Sequence, residues 1–431
     1  MRLLPRQTPA EAPPRVSRSN PSTASAPRMA AGAGGRNERD PRPILFLRAY
    51  LGKRPDAVGR AMLELAGALA VLHEPVIWAL HEPALAPVVG VRVEAIGKRM
   101  PAFLSRSRAA GQIAFLFLAA VRLIRQRQRF AVVVCVDTPT GVGWLGVLAQ
   151  KLSGGSTRYF AWVMDMYFAY VPAPARFRTR YEARVRMAID AANYKQADIV
   201  ITLGRCMVDR LTRLSVASGR IRVIPPWATP VHRDIGGDLR REWRLESVTV
   251  VLYSGYAGVR HPLRSLIDAA HRLQTDTDHH LLHFLFVGSG PAWDAARQTA
   301  EGLGLQNVSF KPAVARDQLD ELLGLGDVHV AALASGATGT CVPSKAYAAM
   351  AAGRPLLFIG SSNCQVAVDL AEAQGGLSVD GEHIDTLLRA ILSLTTESAK
   401  STYGVRALDF QAHERSLAAG TNQWLTLLNP K

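Results

Sequence analysis

Cysteine is scarce. Cys135, Cys206, Cys341 and Cys364 are scattered and no two form a CxxC pair, so the chain has neither a disulfide framework nor a cysteine-based metal site. No stretch approaches the ~20 apolar residues that a spanning helix needs, and no signal-peptide pattern is present, so a cytoplasmic location is expected. Acid is in deficit: 51 Lys and Arg against 35 Asp and Glu leave a formal net charge of +16. Such a balance attracts phosphate. Zinc-finger spacing, an RGF-type aromatic strand and a helix-turn-helix signature are all missing, so no nucleic acid partner is expected, and a nucleotide diphosphate or an anionic lipid surface fits better. A dinucleotide fingerprint is missing too. The first strand runs into RAYLGKRPDAVG rather than Gly-x-Gly-x-x-Gly, which argues against an NAD-dependent oxidoreductase.

What is present, from PILFLRAY onward, is an alternation of short apolar runs with longer helical patterns, the sequence form of a parallel sheet covered by helices. At 431 residues the chain exceeds the roughly 250–300 at which one core stops growing, so two domains are expected. The first series of strands is read at 44–50, 75–81, 91–96, 130–137, 157–164, 198–204 and 221–225. The second is read at 248–255, 281–288, 308–312, 328–333, 355–359 and 376–379, after the Pro-rich turn IPPWATP (224–230). The expected partition is a disordered basic tail over 1–42, an N-terminal domain over 43–226, a linker over 227–246, a C-terminal domain over 247–400 and a terminal helical segment over 401–431.

In open α/β sheets ligands lie beyond the C-terminal ends of the strands. In YSGYAGVRHPLRSL, Gly255 and Gly258 permit a tight turn and Arg260, His261 and Arg264 bring charge; a diphosphate fits, as does a plain turn before a solvated basic helix. In FVGSGPAW, Gly288 and Gly290 let the backbone around Ser289 approach closely, and Pro291 opens a helix. TGTCVPSKAYAAMAAGRPLL (338–357) places Pro343, a capping Ser344 and Lys345 in a helix first turn, where unpaired N–H groups and the helix dipole favour an anion. The body of that helix packs on the sheet. IGSSNCQVAVDL offers Gln365 to a ribose or sugar hydroxyl, or supplies a plain cap.

In the first half, WVMDMYFAY holds Asp165 at a strand end, where the carboxylate meets a sugar hydroxyl or an ion partner, and Gly59 and Arg60 open a helix toward the cleft. The segment 103–130 joins an apolar run to arginines at 106, 108, 122, 125, 127 and 129. That is the composition of a helix lying on an anionic membrane, or of a core-packed helix with a basic outer face.

Taken in order, DTPTGVGWLGVLAQKL, WVMDMY, QADIVITLGRCMVDRL, IRVIPPW, VVLYSGYAG, FLFVGSGP and VPSKAYAAMAAGRPLLFIG resemble the bacterial GT-B glycosyltransferases of family 4, over about residues 43–390. The branch that builds capsular, O-antigen or colanic-acid-like polysaccharides is the most similar. The resemblance implies an α/β protein of two Rossmann-like doubly wound domains facing a cleft. It implies retaining, metal-independent transfer of a sugar from a nucleotide diphosphate sugar to a lipid-linked or polysaccharide acceptor, with no cofactor beyond the donor substrate. The donor would meet Gly255, Arg260, His261, Gly288 and Ser289, then Val342, Pro343, Ser344, Lys345 and Gln365, with 311–314 near the base. Asp165 would place or polarise the acceptor, with Gly59 and Arg60 in the cleft. A helix over 401–428 would cross back to the first domain, and the protein would be peripheral on the inner face of the cytoplasmic membrane. Thr340 and Ala348 stand where many members carry glutamates, and Gln365 where a Ser-Glu-Ile-Ala stretch carries one. These departures leave a second possibility, a catalytically silent GT-B protein that binds a nucleotide sugar or a partner glycosyltransferase.

Overall fold

The computed structural model describes residues 40–429, apart from 52–55, 82–86, 99–106, 137–138, 172–176, 232–236, 276–280 and 382. The expected tail over 1–42 therefore lies, up to residue 39, outside the described residues, as does Arg106. Every expected strand forms. β1 (Ile44–Leu47), β2 (Pro75–Ala79), β3 (Arg92–Ala95), β4 (Val132–Val136), β5 (Arg158–Val163), β6 (Ile199–Thr202) and β7 (Ile221–Val223) make one sheet in the order β3-β2-β1-β4-β5-β6-β7. β8 (Thr249–Tyr256), β9 (Leu282–Ser289), β10 (Val308–Lys311), β11 (Val328–Ala332), β12 (Leu356–Ile359) and β13 (Gly376–Val379) make a second, ordered β10-β9-β8-β11-β12-β13. All neighbours pair in parallel. Continuous apolar runs such as VVVCV in β4 suit this placement, because a parallel sheet covered on both faces buries both rows of side chains.

One buried cluster runs from Phe46 and Val134 in the first lobe through Val342 and Tyr347 to Phe358 in the second, so the seam between the lobes is itself core. A separate cluster including Val251, Phe284, Val330 and Ile391 fills the other face of the second sheet.

Where the sequence suggests one helix over 401–428, there are two, Glu397–Glu414 and Leu417–Leu428. The break falls at Ser416, whose hydroxyl accepts the Ala419 N–H at 3.2 Å and caps the second helix. That last helix belongs to the first lobe: Trp424 is fully buried against Trp162, Phe46 and Phe160, and Arg158 donates to the Leu427 carbonyl at 3.0 Å. Trp227, in the Pro-rich turn, stacks on Trp162 and donates its indole N–H to Glu64 at 2.9 Å. Among the described residues, no helix is long and apolar enough to cross a membrane.

Candidate functional site

The second sheet reverses its order between β8 and β11, and the loops leaving those strands meet there: the Ala334 N–H donates to the Arg260 carbonyl at 2.8 Å. Gly255, at φ 106°, pairs in register with Gly288, and a Cβ on Gly288 would overlap the Gly255 carbonyl. A Cβ on Gly255 would instead face the cleft, 3.7 Å from Lys345 Nζ. Ser289 is exposed, and its carbonyl accepts the Ala257 N–H at 2.8 Å.

Lys345 donates to the Tyr253 hydroxyl at 2.5 Å and lies 3.8 Å from the centre of that ring. Burial pushes its pKa down to about 7. Ser344 does not cap, contrary to the sequence expectation. It is exposed in αR geometry with no side-chain bond to the helix Lys345–Ala351, and the amide N–H groups of Ser344 and Lys345 find no acceptor among the described residues. Val342 and Pro343 are buried. His261 is held neutral, its pKa pushed down to about 3 by burial and then by Lys345 and Arg260. Its Nδ1 is buried without a partner among the described residues.

The first lobe closes against these loops. Asp165 and Arg260 form a two-pronged ion pair at 2.5 and 2.6 Å, and the guanidinium lies 5.3 Å from the centre of the Tyr167 ring. The Met166 N–H donates to the carbonyl of buried Thr340 at 2.7 Å. Asp165 is thus brought to the second lobe's cleft loops, but as an ion partner. Gln365, expected to reach the donor, is spent on the seam instead. It is 4% exposed, its carbonyl accepts the Arg205 N–H of the first lobe at 2.8 Å, and its amide donates to Asp369 at 2.8 Å. Asp369, fully buried, also accepts from Tyr347 at 2.7 Å and from Arg415 at 2.8 and 3.1 Å. Cys206 and Cys364, one from each lobe, are both buried, and the interaction between their thiols holds Cys206 down to about 7 and pushes Cys364 up. Gly59 lies in the first turn of the helix Ala57–Leu69, its N–H taken by the capping carboxylate of Asp56 at 2.8 Å, while the Nε of Arg60 is buried without a partner among the described residues.

Sequence reasoning missed Tyr253, Arg210, Asp369 and Arg415. Arg210, which donates to the Ala169 carbonyl at 2.9 Å, lies inside the quoted segment QADIVITLGRCMVDRL and Asp369 inside IGSSNCQVAVDL; Arg415 carries no local signal. In the described part of the segment 103–130, Arg122 and Arg129 are bound to Glu94 within the lobe, while Arg108, Arg125 and Arg127 are exposed. The apolar exposure spreads to neighbouring helices: Ile113 and Phe117 on Arg108–Arg125, Trp144 on Gly143–Leu152, and Phe177, Tyr181, Val185 and Ile189 at every fourth position of Phe177–Gln196. Among the described residues, no group of three or more His, Cys, Asp and Glu is placed to hold a metal ion.

Two doubly wound parallel sheets meeting at a seam lined by a glycine turn and a lysine-bearing helix start define the GT-B class of fold. The chain belongs to the glycosyl transferase 4-like domain family, whose sequence model matches residues 11–227. It is similar to WcaI of Escherichia coli strain K12, which carries the name of a colanic acid biosynthesis glycosyl transferase, at 26% identity over 239 residues, 53% of this chain and 58% of WcaI. It is similar to WbjE of Pseudomonas aeruginosa, named as a glycosyltransferase, at 24% identity over 272 residues, 61% of this chain and 65% of WbjE. The matched stretches thus span about three fifths of each relative. Among solved structures, HepE of Anabaena in complex with UDP and glucose superposes with a TM-score of 0.68 at 12% identity, covering 90% of this chain and all of that one.

Proposed function

We propose that the chain transfers a sugar from a nucleotide diphosphate sugar, held in the second lobe, to a lipid-linked or polysaccharide acceptor lying against the first. Transfer retains the anomeric configuration, needs no metal and contributes to a cell-surface polysaccharide. The observation that carries this assignment is the opposition of Gly255 and Lys345 Nζ beside the two open N–H groups of Ser344 and Lys345. A diphosphate there accepts from both amides and from the ammonium, where any other side chain at 255 would intrude. HepE, with UDP and glucose bound, and WcaI, named for colanic acid biosynthesis, support the donor class and the pathway class.

In this mechanism Asp165 stores Arg260 at the cleft. When the donor's phosphates take the guanidinium, the carboxylate becomes free to accept from an acceptor hydroxyl. The test is a thermal-shift panel of UDP, GDP, dTDP and CDP with their sugars. Ligand at 100 times its dissociation constant adds about 2.7 kcal/mol, a readable shift. A panel with no shift removes the donor site. The engagement of Asp165 by Arg260 and of Gln365 by Arg205 and Asp369 favours one alternative, the catalytically silent protein that binds a nucleotide sugar or a partner glycosyltransferase. A shift with no transfer or hydrolysis in the presence of membrane extract would select it.

The protein would work at the inner face of the cytoplasmic membrane. Exposed Ile113, Phe117, Tyr181, Val185 and Ile189, with Arg125, Arg180 and Arg184 on the same helices, have the apolar and basic character of an interfacial surface.

A further inference from the structure

Beside the seam, in the first lobe, lies a cavity of about 620 Å³ between the helices Phe177–Gln196 and Arg205–Arg213. Four guanidinium groups line it, from Arg180, Arg184, Arg210 and Arg213. Arg180, Arg184 and Arg213 have no carboxylate partner among the described residues, and Arg210 is bonded only to carbonyls, those of Ala169 at 2.9 Å and Thr338 at 3.4 Å. Burial and the neighbouring Arg213 both lower the pKa of Arg210, as expected where cations crowd without a counter-charge. The rest of the lining is apolar: Phe168, Val171, Met187 and Leu214. Four unneutralised arginines call for an anion with several oxygens, since each guanidinium offers a planar fork matched to phosphate. The apolar lining and the volume call for a ligand that also carries hydrocarbon.

The cavity is placed for the acceptor. Phe168 and Ala169 lie on the 3-10 turn Tyr167–Ala169 that follows Asp165, and Arg210 reaches from the cavity wall to the Thr338 carbonyl, at the start of the segment leading to Lys345. The same helix that contributes Arg180, Ala183, Arg184 and Met187 to the cavity exposes Tyr181, Val185 and Ile189 on its adjoining face. A lipid chain leaving the cavity thus meets an apolar surface rather than water.

We propose that this cavity binds the phosphate or diphosphate head, and the first part of the chain, of a long-chain lipid, which is the acceptor's anchor. The assignment rests on the proposed transfer for the word acceptor, but the site itself does not. The test is a binding titration of the full chain with farnesyl diphosphate, inorganic pyrophosphate and farnesol, with UDP as an independent probe of the other lobe. Farnesyl diphosphate should bind at least about tenfold more tightly than pyrophosphate or farnesol. The pair Arg184→Gln with Arg213→Gln should weaken it by about tenfold or more, as the loss of charge-assisted bonds predicts, and leave UDP affinity unchanged, which also shows that the variant is folded. Equal affinity of pyrophosphate would mean a site for a small anion, and unchanged binding by the double variant would place the lipid elsewhere; either result overturns the proposal. Farnesyl diphosphate binding that depends on the arginines, in a protein that takes none of the nucleotides, would leave this site standing and remove the donor cradle.

Discussion

Lys345 has a pKa pushed down to about 7 from the ordinary 10.5, because burial withholds water from its ammonium. A diphosphate requires the charged form. Binding of UDP-glucose should therefore be level below about pH 7 and fall by about tenfold per unit above it, with a proton taken up on binding near about pH 8. Calorimetry across this range in buffers of different ionisation enthalpy reads both effects. Lys345→Met should flatten the profile, and a wild-type profile already flat would take the lysine out of the cradle. The sign for stability is opposite: between about pH 7 and 10.5 the folded state holds fewer protons than the unfolded chain, so this lysine makes stability rise with pH. Gln365 yields to the same kind of reasoning. A glutamate there would set a second carboxylate against Asp369, which already holds Tyr347 and Arg415, and would turn an acceptor toward it in place of an amide donor. Gln365→Glu should thus cost about 1–3 kcal/mol in thermal unfolding.

The helix Leu417–Leu428 ties the end of the chain to the first lobe's core, and Trp424 is its main anchor, with its ring 4.9 Å from that of Trp162. Trp424→Ala should destabilise by about 3–5 kcal/mol, seen as a lowered melting temperature. The strands were legible beforehand because each is a short apolar run bounded by turn residues, and a buried parallel sheet demands little else. The break at Ser416 was not, since HERSLAAG contains no proline and its only glycine lies beyond the break. The site divides along the same line. The glycine turn, the Pro-Ser-Lys helix start and Gly288 are local patterns, each legible within its own segment, and in the structure Gly255 lies beside Gly288 and faces Lys345. The pairs that join the lobes are remote in sequence, Asp165 with Arg260 at a separation of 95 and Arg205 with Gln365 at 160, and no periodicity within one segment announces them.

At the scale of the whole molecule, a net charge of +16 and an apolar patch on one lobe would, under the proposed membrane attachment, act together on an anionic bilayer. The charge acts at long range but is screened within about 8 Å at physiological ionic strength, so it speeds and orients approach more than it holds the protein in place. Lasting attachment needs the apolar contacts, each fully buried large side chain supplying about 1.5–3 kcal/mol. Trp144 and Ile189 flank Gly141 at 3.9 and 4.0 Å from the position of its missing side chain, so the patch is continuous across two helices. The chain should float with anionic vesicles and not with neutral ones, and float less as salt is raised. Tyr181→Ser, Val185→Ser and Ile189→Ser combined should reduce flotation at moderate salt to the level seen with neutral vesicles. Because all three side chains are exposed, at 60, 40 and 37%, the melting temperature should stay close to that of the parent chain. Equal flotation of the triple variant and the parent would leave charge alone as the attachment, and equal flotation on both kinds of vesicle would remove charge from it.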